Sequence, residues 1–244
     1  MQRGILIINL LLFVVMNVLS QSVFETDTIP VSSGDLKLTF IGHGTLMFET
    51  NGLIIHVDPV SRYADYSQLP KADLILVTHH HGDHFDLETL AQITKMETKI
   101  VCTETCSKQM KNCTVMKNGD IESLKGIRIE AVPAYNLVHK RDNGQPYHPK
   151  GIGNGYVLTL GDTRVYIAGD TENFPEMKNL TDIDIAFLPM NLPYTMTPEM
   201  VANAVNVIKP KILYPYHFGN TDVKILVELL KDKTDCEIRI RKLN

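Results

Sequence analysis

The segment Leu74-Ile75-Leu76-Val77-Thr78-His79-His80-His81-Gly82-Asp83-His84 decides how this chain is interpreted. Its apolar first half predicts a buried strand. Its second half carries four side chains that can bind metal ions, namely His79, His81, Asp83 and His84. Because alternate residues of an extended chain point the same way, His79 and His81 can chelate one cation. Gly82 permits a sharp turn that would bring Asp83 and His84 to a second cation beside it.

Two adjacent cations can share a bridging hydroxide, which is a nucleophile available at neutral pH. The alternative is an ordinary His-rich turn, or a single metal site without chemistry. That alternative explains a bare His-x-His pair, but it explains poorly a further Asp and His at the end of a buried strand, where active sites of layered folds lie. The segment therefore predicts a metal-dependent hydrolase.

The whole chain is that of a globular protein, with 244 residues and 44% hydrophobic content. A net charge of -4 and the absence of a basic run give no indication of nucleic-acid binding. No repeat or linker divides it, so we expect one domain over residues 36–244, preceded by an N-terminal extension over residues 21–35. Strands in meanders, followed by strands alternating with helices, predict an α/β (α+β) fold of two packed sheets with helices outside.

The first residues have the three-part pattern of a secretory signal. Arg3 precedes the uncharged segment Ile5–Leu19, and cleavage is expected after Ser20, which gives a signal peptide over residues 1–20. An uncleaved anchor is the alternative, but the apolar run is short for a full span and two asparagines interrupt it. We expect an exported protein, periplasmic or secreted, without stable membrane association once the signal is removed.

The four cysteines are Cys102, Cys106, Cys113 and Cys236. An even number in an exported chain is compatible with disulfides, and four cysteines allow three pairings. Cys102 and Cys113 flank a short segment and could bridge. All four could equally be small buried hydrophobic residues.

The hydrophobic pattern also places the elements that surround the cluster. Helices are predicted after the N-caps Asp86 and Thr197, and at Val223–Leu230. Strands are predicted at 36–41, 45–49, 53–57, 99–103, 127–132, 156–160, 164–167, 183–188, 211–215 and 237–240. The stretch Leu137–Asn154 is the one long irregular segment, and such loops often lie at sites.

Three later residues extend the metal-site hypothesis. Asp170 follows the strand at 164–167, within Ala168-Gly169-Asp170-Thr171, and His217 follows the strand at 211–215. His148 lies in the long loop. Each is a weak signal alone, and their recurrence after the cluster makes them stronger together.

With these motifs in place, the chain resembles the metallo-β-lactamase superfamily. The matching pieces are Gly42–Thr45, Val57–Pro59, Thr78–His84, Ala168–Thr171 and Tyr216-His217. Within the superfamily, the chain is similar to the metal-dependent hydrolases related to L-ascorbate-6-phosphate lactonase, because Ala186–Pro189 is followed by Tyr194-Thr195-Met196. The resemblance covers nearly everything from Leu36 onward.

This resemblance implies a four-layer αββα sandwich with the site at one edge of the two sheets. It also implies that His79 and His81 bind a first metal, that Asp83, His84 and His217 bind a second, and that Asp170 bridges them. Many relatives carry the third His of the first metal just after the strand at 127–132, where this chain has Ala134-Tyr135-Asn136. We predict that His148 replaces it, since a His-Pro-Lys of this kind occurs in similar sequences, with His139 as the alternative.

The predicted ligands are all N or O donors, so we expect two divalent metal ions, with zinc preferred and manganese or iron also suitable. Asp58 is predicted to orient a ligand His, or else to be only a turn residue before Pro59. Further residues are predicted to line the pocket or contact substrate: His43, Tyr194, Thr195 and Lys150. His56 and His80 are predicted to be structural.

The predicted function is hydrolysis of a small molecule, most simply a lactone or related ester, by a metal-bound hydroxide, with Asp83 orienting the water or relaying its proton. A phosphodiester or phospholipid hydrolase is the alternative that the same two-metal geometry supports. A non-catalytic metal-binding protein is a third hypothesis, which an incomplete first site would favour.

Overall fold

The computed structural model describes residues 24–243, so the predicted signal peptide lies outside the described residues. Two seven-stranded sheets run through this part of the chain, and in each the strands lie side by side in sequence order. Both sheets begin as an antiparallel meander and end in parallel strands. The carboxyl ends of the parallel strands supply most of the residues discussed below.

The strands of the first sheet are β1 (Glu25–Val31), β2 (Gly34–Gly42), β3 (Thr45–Thr50), β4 (Leu53–Val57), β5 (Leu74–Leu76), β6 (Lys99–Cys102) and β7 (Thr114–Val115). The strands of the second sheet are β8 (Ile121–Leu124), β9 (Ile127–Ala134), β10 (Gly153–Leu160), β11 (Thr163–Ile167), β12 (Ile185–Pro189), β13 (Ile212–Tyr216) and β14 (Glu237–Ile238).

Helices cover the outer face of each sheet. They are α1 (Leu87–Ile93), α2 (Glu104–Ser107), α3 (Pro198–Ile208) and α4 (Val223–Leu230), with 3-10 turns at Tyr66–Gln68 and Pro175–Asn179. The predicted N-caps are confirmed, because the Asp86 carboxylate accepts the backbone N–H of Glu88 and Thr89, and the Thr197 hydroxyl accepts that of Met200. No helix in residues 24–243 has the length and apolar character needed to span a bilayer.

Three apolar clusters hold these layers together. The inner faces of both sheets form the largest, where Phe40 and Phe48 pack against Phe187 and Tyr214. A second cluster lies between the second sheet and α3 and α4, and a third includes β5, β6 and α1. Helix, sheet, sheet and helix therefore follow one another, which confirms the predicted αββα sandwich.

The predicted N-terminal extension contains a strand. β1 pairs with β2 along its whole length, from Glu25 opposite Phe40 to Val31 opposite Gly34. The hydrophobic pattern does not indicate this strand, because its residues alternate between exposed and half-buried and include Pro30, a composition that an edge strand tolerates. The folded unit therefore begins before residue 36.

The cysteines differ in their state. Cys102 and Cys113 form a disulfide with Cα atoms 6.2 Å apart, whereas Cys106 is a buried thiol and Cys236 a half-buried one. The Cys102–Cys113 bridge is one of the pairings that the sequence leaves open.

Asp27 of β1 joins the first sheet to the second sheet and to the C-terminal segment. Its carboxylate accepts hydrogen bonds from both Nε and Nη2 of Arg241, from Arg239 and from the hydroxyl of Tyr214 on β13. Burial alone would raise the pKa of Asp27, but the hydrogen bonds from Tyr214 and Arg241 hold this pKa below its ordinary value. The charged carboxylate therefore stabilises the packing of β1.

We predict that Asp27→Asn lowers the free energy of unfolding by about 1–3 kcal/mol at neutral pH, since it removes charge-assisted hydrogen bonds from a partly buried cluster. Because the folded pKa is depressed, this stabilisation is present above the ordinary value of 3.8 and is lost as pH falls through the lower folded value. Urea unfolding followed by circular dichroism, from neutral pH to about pH 3, should show the difference shrinking in acid. Asp35→Asn, at an exposed position of β2, is the control, and an equal effect of both variants would contradict the assignment.

We also predict that alkylation of the denatured, unreduced protein labels Cys106 and Cys236 and leaves Cys102 and Cys113 unlabelled. Peptide mass spectrometry before and after reduction measures this directly. A bridge that includes Cys106 would show the pairing to be wrong.

Candidate metal centre

The site lies at the edge where strands of both sheets end. The turn after β5 carries His79, His81, Asp83 and His84, while residues after β11 and β13 supply Asp170 and His217. In that turn the backbone N–H of His84 and of Phe85 both donate to the carbonyl of His81, at 3.0 and 2.9 Å. The turn around Gly82 therefore places the two halves of the motif side by side, as the sequence predicts.

Two groups of side chains in the described residues could each hold a metal ion. The first group is His79, His81, His148 and Asp170, and the second is His43, Asp83, His84 and His217. Within each group, one ligand atom from every residue lies within 4.8 Å of the others. The structure thus brings together all seven residues predicted as ligands and adds His43 to them.

Asp170 lies between the two groups. Its Oδ2 is 3.2 Å from His148 Nε2 and 3.8 Å from His79 Nε2. Its Oδ1 is 3.3 Å from His217 Nε2 and 3.4 Å from His84 Nε2. One carboxylate oxygen therefore faces each group, which is the arrangement that a bridging ligand requires.

The donor atoms fit divalent cations. Nε2 of His79, His84 and His217 and Oδ1 of Asp170 are buried and have no hydrogen-bond partner in the part of the chain that the structure describes. Each buried unpaired polar atom costs about 1–3 kcal/mol, and a coordinated cation would satisfy it. Nitrogen and oxygen donors without a thiolate suit zinc, manganese or iron.

His81 and His84, one from each group, differ in protonation. Burial, and secondarily the proximity of His148, lower the pKa of His81 to about 4, so this ring is neutral at neutral pH and offers a lone pair. Burial would also lower the pKa of His84, but the carboxylates of Asp170 and Asp58 raise it to about 10. His84 is therefore protonated beside these carboxylates, and binding of a cation would displace this proton.

Asp58 orients His84 from behind. It is fully buried after β4, and its Oδ2 accepts hydrogen bonds from His84 Nδ1 at 2.8 Å and from the Thr78 hydroxyl at 2.6 Å. Its Oδ1 accepts the backbone N–H of Thr78 at 2.7 Å. Because Nδ1 is engaged in this way, Nε2 of His84 faces the site, which is the contact expected of an orienting residue.

A different residue, Asn136, orients His148 toward the other ligands of the first group. Asn136 Oδ1 accepts hydrogen bonds from the backbone N–H and from Nδ1 of His148, at 3.1 and 2.6 Å, and this leaves Nε2 facing Asp170. Asn136 Nδ2 in turn donates to Glu172 Oε1 at 3.2 Å. Asn136 therefore links the buried Glu172 carboxylate to the His148 ring and fixes its orientation.

Glu172 anchors the start of the loop that follows Asn136. It is fully buried and accepts the backbone N–H groups of Leu137, Val138 and His139 at 2.6 to 2.7 Å. His139 Nδ1 lies 2.6 Å from Glu172, so the alternative ligand His139 belongs to this loop and to neither group. Asn136 and Glu172 are not among the predicted site residues, although Glu172 directly follows the Asp170-Thr171 motif.

A cleft of about 460 Å³ opens over both groups. It is lined by His43, Arg62, Tyr63, His81, Asp83, Arg141, Tyr147, His148, Asp170, Asn191, Tyr194 and His217. His43 and Tyr194 therefore line the cleft as predicted. His43 Nε2 also lies 3.3 Å from Asp83, and the ring centroid of His43 lies 3.7 Å from that of His217. The two arginines carry no motif that would indicate their place in the cleft.

Two predicted substrate contacts lie elsewhere. Thr195 is fully buried, and its hydroxyl accepts the N–H of Asn191 at 2.7 Å and donates to the Asn191 carbonyl, so it closes the turn behind Tyr194. Lys150 donates to Glu176 at 2.5 Å and lies over the ring of Tyr135. His56 is structural as predicted, being buried with Nε2 3.0 Å from the Pro70 carbonyl.

An αββα sandwich with two adjacent groups of N and O donors at one sheet edge defines a metal-dependent hydrolase of the metallo-β-lactamase type. A family model described as a beta-lactamase superfamily domain matches residues 37–217. A UPF0173 metal-dependent hydrolase of Koribacter versatilis is 33% identical over 204 residues, which are 77% of this chain and 86% of that protein. The chain thus belongs to the UPF0173 metal-dependent hydrolases of the metallo-β-lactamase superfamily.

Solved structures agree with this assignment. A crystal structure from Parabacteroides distasonis, described as a metal-dependent hydrolase, is 50% identical, has a TM-score of 0.86, and covers 91% of this chain and 100% of its own. Igni18, a metallo hydrolase from Ignicoccus hospitalis, has a TM-score of 0.71 at 23% identity over 86% of this chain and 96% of its own, and it supports the fold alone.

We predict that Asn136→Ala weakens zinc binding at the first group by about 10- to 100-fold, because His148 loses the partner that fixes its ring. Competition with a chromophoric chelator measures the affinity, and metal analysis after dialysis gives the number of retained ions. His139→Ala is the matched control, since it changes a His of the same loop outside both groups. Unchanged affinity in Asn136→Ala would show that the contact does not position a ligand.

Proposed function

We propose that this protein hydrolyses a carboxylic ester, in particular a lactone or a related ester, with a dinuclear metal centre. The observation that carries the proposal is the pair of adjacent ligand groups that share Asp170 and open onto one cleft. Two cations side by side, reached by solvent and by a small molecule, are the arrangement that metal-assisted hydrolysis needs.

We assign His79, His81 and His148 to the first cation, Asp83, His84 and His217 to the second, and Asp170 to both. Zinc is the preferred ion for this donor set, and manganese or iron would also suit it. When bound, the two ions would lower the pKa of coordinated water from 15.7 towards about 7 and would polarise the oxygen that gains charge.

The remaining chemistry falls to Asp83 and His43. Asp83 is one-third exposed and faces the cleft, with Oδ2 3.3 Å from His43 Nε2 and 3.7 Å from His217 Nε2. Burial would raise the pKa of Asp83, but the adjacent imidazoles of His217 and His43 hold this pKa far below its usual range. An ionised carboxylate in this position can orient the attacking water and accept one of its protons. That proton then passes to the alkoxide oxygen released as the acyl C–O bond breaks, which in a lactone stays in the ring-opened product.

The lactone class is supported by the sequence around β12 that resembles the lactonase-related branch, namely Ala186–Pro189 followed by Tyr194-Thr195-Met196. A phosphodiester is the second candidate, because two adjacent cations also stabilise in-line displacement at phosphorus. The arginines in the cleft are the observation that favours it.

We further propose that the protein acts outside the cytoplasm. The signal-like segment over residues 1–20 and the Cys102–Cys113 disulfide support this, since disulfides persist in oxidising compartments. Cell fractionation with an antibody against the protein tests it, and recovery of the full-length chain in the cytosol would contradict it.

We predict that the protein over residues 21–244, loaded with zinc or manganese, turns over a chromogenic lactone and that His81→Ala reduces the rate to background. His80→Ala is the matched control, because His80 is adjacent in the chain but outside both ligand groups. Phosphodiester and β-lactam reporters, assayed in parallel, decide the class of bond. Turnover of the phosphodiester alone would replace the lactone proposal, and no turnover of any reporter with both ions bound would contradict hydrolysis of these bonds.

A further inference from the structure

The arginines of this chain divide into two kinds. Among residues 24–243, every arginine outside the cleft pairs with a carboxylate: Arg128 and Arg164 with Glu130, and Arg239 and Arg241 with Asp27. The two arginines that line the cleft, Arg62 and Arg141, have no carboxylate within 4.0 Å in the same described range. Within residues 24–243, the guanidinium groups without a carboxylate partner are thus confined to the candidate site.

Each of these arginines stands beside one of the ligand groups. Arg62 precedes Tyr63, whose ring stacks on His43 of the second group at 5.5 Å between centroids. The guanidinium of Arg141 lies 5.0 Å over the ring of Tyr147, which directly precedes His148 of the first group. This stacking and a hydrogen bond of 3.4 Å from Nη2 to the Tyr147 carbonyl limit the freedom of Arg141, while its other N–H groups can still donate to a ligand.

The charge of the cleft favours an anion. Its acidic lining residues are Asp83 and Asp170, both of which belong to the ligand groups and would be offset by bound cations. The two guanidinium groups then leave an excess of positive charge. A planar guanidinium binds carboxylate and phosphate through two parallel hydrogen bonds, which makes these groups the chemical partners that fit.

We propose that the substrate carries an anionic group, a phosphate or a carboxylate, outside the bond that is cleaved, and that Arg62 and Arg141 bind this group. The inference rests on the proposed function for the reaction, but anion binding itself can be measured without turnover. Tyr63, Tyr147 and Tyr194, which line the same cleft, would contact the uncharged part of the molecule.

Binding is measured first, by calorimetry with phenylphosphonate, phenylacetate and uncharged benzyl alcohol, on metal-loaded and metal-free protein. We expect the anions to bind about 10- to 100-fold more weakly to Arg62→Gln and to Arg141→Gln, the range for a lost charge-assisted contact, in both metal states. Arg128→Gln is the matched control and should bind as the wild type does. The stronger of the two anions identifies the phosphate or the carboxylate class.

Turnover is measured second, on pairs of esters that share the leaving group and differ only in an anionic or a hydroxyl substituent. We expect the anionic ester to have the higher kcat/KM, mainly through KM, and to lose this advantage in the two cleft variants and in high salt. Equal kcat/KM for both esters, together with anion binding that the variants do not alter, would overturn the inference and leave ester hydrolysis standing. Arginine-dependent anion binding without hydrolysis of any ester would instead support the inference and refute the proposed function.

Discussion

The site depends on the Asp170 carboxylate, which is buried between two sets of imidazoles and faces each with one oxygen. Its position is set by backbone packing. Gly169 has a φ of +64°, and a Cβ there would lie 2.9 Å from the Asn154 carbonyl and 3.2 Å from Thr78 Cβ. Only glycine therefore lets the strand end of the second sheet approach the metal-binding turn of the first. The two sheets, each a meander followed by parallel strands, meet at this contact.

Two buried carboxylates support the ligands from opposite sides. Asp58 holds His84 from the first sheet, and Glu172 holds His148 from the second through Asn136. Burying a carboxylate costs several kcal/mol unless its oxygens are hydrogen-bonded, and both of these groups accept several N–H or O–H donors. These buried hydrogen bonds fix which nitrogen of each imidazole faces the site, and coordination of a metal ion requires that orientation.

The fold and the ligand cluster could be predicted from sequence because their signals are local. The spacing of residues in the strand-turn motif from Leu74 to His84 determines how its ligand side chains are arranged. The caps Asp86 and Thr197 bind backbone N–H groups no more than three residues away. Contacts between distant positions leave no such signal. Asn136 meets Glu172 across 36 positions, and β1 is recognised as a strand only through its partner. Thr195 shows the limit at short range, since adjacent residues of one turn face opposite ways and only Tyr194 reaches the cleft.

The loop between β9 and β10 joins the first candidate ligand group to the lining of the cleft. One end is fixed where Glu172 accepts the N–H groups of Leu137 to His139, and the other where Asn136 holds His148. Between these anchors, an isolated antiparallel β-bridge between Lys140 and Pro146 closes a hairpin. This hairpin carries Arg141, whose guanidinium lies over the ring of Tyr147. The anchored ends hold His148, while Arg141 of the exposed hairpin lines the cleft. Substitutions in this hairpin can therefore change the lining of the cleft without moving His148, because the contacts that hold His148 lie outside it.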